Sequence, residues 1–94
     1  MYSLQFTNPA ARIFKKLPPD VRAELIRQAE ILKQAPMTGE QLKGKYRFLR
    51  SLHLSYKGVA YRIIYQVVSQ TDTIAIFLAD KRENIYRRLE HMGL

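Results

Sequence analysis

Tyr2, Leu4 and Phe6 alternate with Ser3, Gln5 and Thr7. That period of two predicts a strand over residues 2–7. Asn8-Pro9 follows, a capping side chain with proline at the first helical position. Ala10, Phe14 and Leu17 then share one face of a short helix, which Pro18-Pro19 ends. From Pro19 to Gln34 the apolar positions Val21, Leu25, Ala29 and Leu32 recur at helical spacing, with Arg22, Gln28 and Lys33 on the other side. Pro36 and Gly39 mark the exit. The period then changes. Residues 47–55, 61–69 and 73–79 read as strands, joined by turns at Lys57-Gly58 and at Gln70–Asp72. The tail from Arg82 to His91 predicts a short helix.

The order strand, helix, helix, three strands, short helix predicts an α+β fold. The simplest packing is one twisted, mainly antiparallel sheet with the two N-terminal helices on one face and the other face open for a site. Tyr65, Phe48, Ile74, Ile76 and Leu78 read as sheet core. The chain has 94 residues, enough for one domain spanning 1–94. It has no cysteine, which removes disulfides and thiolate chemistry. With only two histidines, no metal site is expected. No apolar run approaches the ~20 residues of a membrane span and no leader pattern opens the chain, so a soluble, cytoplasmic protein without membrane contact is expected.

Charge changes the picture. Sixteen Lys and Arg against eight Asp and Glu give +8, a balance that points to a polyanionic partner. No acid lies between Glu40 and Asp72, whereas Lys43, Lys45, Arg47, Arg50, Lys57 and Arg62 all fall there. Aromatic residues are interleaved among these cations, as in surfaces that bind single-stranded nucleic acid.

Several landmarks span nearly the whole chain. They are Phe6-Thr7, Ala11 and Phe14-Lys15-Lys16-Leu17-Pro18, then Leu42-Lys43-Gly44, then Tyr61-Arg62-Ile63-Ile64-Tyr65-Gln66-Val67, and finally Lys81-Arg82-Glu83-Asn84-Ile85-Tyr86. In order and spacing this set resembles the RelE/ParE superfamily of type II toxins. The resemblance implies a microbial ribonuclease-like fold and an acidic, RelB-like antitoxin partner, with operator DNA bound only through that antitoxin. For the RelE branch it further implies cleavage of mRNA in the ribosomal A site, with no cofactor. For the ParE branch it implies a gyrase inhibitor without catalysis.

Ribonucleolytic transesterification sends the 2′-hydroxyl to the adjacent phosphorus and releases the 5′-oxygen. It needs a base, cations around the phosphorane and an acid at the leaving oxygen. Arg62 is the first choice for the phosphate, because a guanidinium can grip two of its oxygens. Arg82, next to Arg62 across the sheet, would complete an arginine pair. Glu83 orients Arg82, acts as a base or merely favours the helix dipole. Tyr86, four residues after Arg82, would share its helical face and stack on a base or handle a proton. His53 is the general-base candidate, since imidazole is the side-chain type that exchanges protons near neutrality. Lys43, Lys45, Arg47 and Arg50 suit ribosomal RNA. His91 is assigned no role.

Overall fold

Three long strands form the centre of the molecule because each buries a row of apolar side chains against the helices. In the computed structural model, which describes Met1–Leu94, these are β3 (Arg50–Tyr56), β4 (Val59–Val68) and β5 (Thr73–Lys81). They pair as consecutive antiparallel hairpins. Lys57 and Gly58 both take positive φ in the first turn, which matches the turn's twist to that of the strands. Asp20 on the second helix fixes this hairpin tip, accepting hydrogen bonds from Lys57 Nζ (3.1 Å) and Tyr56 Oη (3.2 Å). Two edge strands complete a five-stranded sheet of order β1-β5-β4-β3-β2. β1 (Ser3–Phe6) runs parallel to β5, and β2 (Glu40–Gln41) is antiparallel to β3.

Helices α1 (Asn8–Lys16) and α2 (Pro19–Ala29) lie on one face, as the pattern predicts. Ala10, Phe14, Val21, Leu25 and Ala29 are buried there against Leu52, Leu54, Tyr61, Ile63, Tyr65, Ile74 and Ile76. Thr7, rather than Asn8, caps α1: its Oγ1 accepts the Ala10 N–H at 3.3 Å, and Asn8 is already helical. The predicted long helix stops at Ala29 and continues as a tighter 3-10 turn over Glu30–Lys33, so Leu32 still reaches the core. Strand β3 begins at Arg50 rather than Arg47, because a 3-10 turn over Gly44–Tyr46 precedes it. Phe48 is not core. It is 43% exposed, and the buried position goes to Leu49.

The opposite face is not open as expected. Helix α3 (Ile85–His91) crosses it, burying Ile85 and Leu89 against Leu49, Ile64 and Leu78 in a second, smaller core. A β-bulge makes this core possible. Ile64 pairs with Leu78 but Tyr65 pairs with Ile76, so Phe77 is an extra residue in β5. An extra residue reverses the facing of everything beyond it. Ile74 and Ile76 therefore point to α1 and α2, and Leu78 points to α3.

Tyr65 ties the 36–39 loop to the sheet. Its buried hydroxyl donates to the Pro36 carbonyl at 2.7 Å and accepts the Gly39 N–H at 2.8 Å. Tyr65→Phe leaves both backbone groups without that partner. The expected loss is ~1–3 kcal/mol of unfolding free energy, read as a lowered urea midpoint at constant m.

Candidate functional site

Alternation along the central strands sets one row of polar side chains beside the α3-covered core. Ser51 and His53 of β3 share that face with Arg62 and Ile64 of β4, and with Leu78 and Asp80 of β5. Within the row His53 lies directly opposite Arg62, and Arg62 directly opposite Asp80. Such neighbours have Cβ atoms roughly 5 Å apart. At the outer end, Glu40 of β2 approaches His53, with Oε2 3.7 Å from Nε2.

Arg62 is partly buried and makes no ion pair. The one hydrogen bond of its side chain within the protein runs from Nη1 to the Tyr61 carbonyl, at 3.2 Å. A guanidinium on a half-covered face with most donors unspent is equipped to take an anion.

Arg82 does not stand opposite Arg62, contrary to expectation; Asp80 does. Arg82 lies beyond the end of β5, in a 3-10 turn over Arg82–Asn84. It is exposed in a hollow of about 390 Å³ with Gly58, Val59, Ala60, Lys81 and Glu83. Ala60 is two residues along β4 from Arg62, so the hollow opens roughly 7 Å down the strand on the same face. Tyr86 also departs from expectation. The α-helix starts only at Ile85, so Arg82 and Tyr86 are not stacked one turn apart on a continuous helix. Tyr86 is 62% exposed. It lines a groove of about 350 Å³ with Glu40, Gln41, Leu42, Lys43 and Tyr46.

The four basic residues expected to meet ribosomal RNA divide into two groups. Lys43, Lys45 and Arg47 are exposed around the Gly44–Tyr46 turn, with Lys45 Nζ 5.1 Å from the centre of the Tyr46 ring. Arg50 is spent internally. Its Nε donates to the Gly39 carbonyl at 2.8 Å and its Nη2 to that of Met37 at 3.2 Å. Glu83 is exposed beside Arg82, and His91 lines a separate, mainly apolar groove with Phe77 and Met92. No three His, Asp or Glu side chains come together as a metal site, and no helix is long and apolar enough to cross a membrane.

Two members of this surface escaped the sequence reading. Tyr46 sits between Lys45 and Arg47, so aromatic interleaving of the basic stretch was its available signal. Asp80 had none, because only the bulge turns it towards Arg62.

The chain matches, over residues 4–90, the family model described as ParE-like toxin of type II bacterial toxin-antitoxin system. Toxin RelG of Mycobacterium tuberculosis is 30% identical over 89 residues, which cover 93% of this chain and 98% of that protein. Among solved structures, a chain of the toxin–antitoxin complex RelBE2 from Mycobacterium tuberculosis superposes with a TM-score of 0.72 at 29% identity, over 86% of this chain and 98% of that one. The isolated Escherichia coli RelE toxin gives a TM-score of 0.72 at 22% identity, with both chains fully covered.

Proposed function

The chain belongs to the ParE-like toxins of type II toxin–antitoxin systems, within the RelE/ParE superfamily, and from that premise we propose that it is a ribosome-dependent endoribonuclease that cleaves mRNA in the A site and so stops translation. The observation that carries this reading is the adjacency of His53 and Arg62 on one sheet face, flanked by the Lys43–Tyr46–Tyr86 groove and by Arg82.

In the proposed reaction the 2′-hydroxyl gives its proton to His53 as its oxygen attacks the neighbouring phosphorus. Arg62 binds the non-bridging oxygens as charge builds on them. Arg82 reaches the same phosphate from the end of β5; its long side chain spans the strand-end offset. The P–O5′ bond breaks, the 5′-oxygen takes up a proton from water, and a 2′,3′-cyclic phosphate remains. Tyr86 stacks on a base beside the scissile bond, and Lys43, Lys45 and Arg47 meet ribosomal RNA. These groups are too few to hold the 2′-oxygen in line unaided, which assigns that task to the ribosome.

The partner we propose is an acidic, RelB-like antitoxin. The similar RelBE2 structure is by its own description a toxin–antitoxin complex, and the +8 charge of this chain favours an acidic wrapping segment. Operator DNA would be reached only through that antitoxin, and the ribosomal target places the toxin in the cytoplasm.

Primer extension on a translated message, with and without ribosomes, tests the reading. Cuts that appear only with ribosomes support it. Growth arrest with the translated message left uncut rejects it and favours the gyrase-inhibiting alternative. Two variants separate the roles of Tyr86. Tyr86→Ala should weaken cleavage by the ~1–3 kcal/mol that base stacking provides. Tyr86→Phe should retain activity; a loss as large as that of alanine would transfer the role to the hydroxyl.

A further inference from the structure

The β5 bulge sets Asp80 directly opposite Arg62, yet the two do not pair. Opposite charges facing each other across two strands normally attract. Asp80 is instead occupied. Its Oδ1 accepts the Lys81 N–H at 2.6 Å and Asn84 Nδ2 at 3.4 Å, and its Oδ2 accepts Arg88 Nε. All three donors belong to residues 81–88, so the carboxylate is held in this way only while that segment keeps its fold on the sheet. The Asp80 side chain is 14% exposed, and a carboxylate so covered needs a cationic or hydrogen-bonding partner. Burial pushes its pKa up, but Arg88, the Lys81 N–H and Asn84 together outweigh that and hold it below the ordinary carboxylate value.

We infer that Asp80 and Arg88 form a positioning pair for Arg62: the Arg88 guanidinium, carried by α3, holds the Asp80 carboxylate and so leaves the Arg62 guanidinium free for a phosphate. The inference rests on the reading of Arg62 as a phosphate ligand and assigns α3 a part in that site. When Arg88 is lost or α3 lifts, Asp80 turns to the unpaired cation across the strand pair, and the phosphate must then displace an internal carboxylate. Arg12 and Lys16 of α1 line one hollow with Asp80 and Arg88, and neither forms an ion pair with Asp80.

The test follows the Arg62 Nε–Hε signal in ¹⁵N–¹H spectra of the full chain, identified by its absence in Arg62→Gln, while inorganic phosphate is added. In Arg88→Gln the signal should move before phosphate is added, and half-saturation should need roughly ten-fold more phosphate, the cost of exchanging one charge-assisted bond. The double variant Asp80→Asn/Arg88→Gln should restore both the signal and the affinity. This rescue separates the proposal from mere undocking of α3, which both variants would share. An unmoved Arg62 signal in Arg88→Gln overturns the inference, as does movement of Arg12 or Lys16 signals in its place, or failure of Asp80→Asn to rescue. A wild-type Arg62 signal that ignores phosphate overturns the phosphate-ligand reading instead, while its response to Arg88→Gln still reports the pairing.

Discussion

Arg62→Ala is expected to reduce ribosome-dependent mRNA cleavage by ~10²–10³ and abolish growth arrest, while the protein still folds. The magnitude follows from removing one preorganised charge from a developing oxyanion, which raises the barrier by ~2.7–4 kcal/mol. Retention of the fold follows from the surroundings of the side chain: it forms no ion pair and donates one hydrogen bond, to the carbonyl of its own neighbour Tyr61. Arg62→Lys should recover only part of the rate, because an ammonium is a point charge and cannot grip two phosphate oxygens in one plane. Arg82→Ala should also lower cleavage, and by less if its offset from Arg62 persists when RNA is bound. Primer extension on translating ribosomes gives the rates, and urea denaturation shows whether each variant folds. A folded Arg62→Ala protein cutting at the wild-type rate would remove the arginine from the mechanism.

The helical stripe of α2 and the alternation of β1 were legible because each element has one wet side and one dry side. The bulge was not. From Ile74 to Ala79 every residue of β5 is apolar, since both faces of the strand are covered, and a strand without polar positions has no phase for an inserted residue to interrupt. Beyond the bulge Leu78 faces α3 although Ile74 and Ile76 face α1 and α2, and Asp80 rather than Ala79 stands against Arg62, while Arg82 falls past the end of the strand. Strand β2 is two residues long and exists only through its pairing with Arg50 and Ser51, so no local pattern announces it. Phe48 looked like core by composition alone. The 3-10 turn before it decides otherwise, and its ring packs edge-on against Phe77 with centroids 6.4 Å apart. Arg62, Tyr86 and the basic stretch could be found from residue type and motif. Their mutual geometry could not, because it depends on register and on where α3 starts.

Leu89→Ala is expected to release α3 from the sheet while the main core stays folded. A seven-residue helix is far below the length that is stable alone in water, so its docking depends on Ile85 and Leu89, both buried. Truncating a fully buried leucine costs ~2–5 kcal/mol. Here the loss falls on a peripheral element that can open without the rest. Amide exchange should therefore speed up by ~10–10³ across residues 85–91 and remain slow in β4 and β5. Opening uncovers Leu49, Ile64 and Leu78, an apolar strip able to receive an amphipathic helix of the acidic antitoxin. If the antitoxin helix takes the place of α3, wild-type toxin binds it with an affinity reduced by the small fraction of open molecules, and Leu89→Ala removes that handicap. Antitoxin binding should then tighten by the same factor as exchange accelerates, measured by titrating both toxins with one antitoxin preparation. Cleavage should fall in parallel, since Tyr86 rides on α3 and loses its place beside Tyr46 and Lys43. Faster exchange without tighter binding would mean that the antitoxin docks beside α3 and leaves it seated.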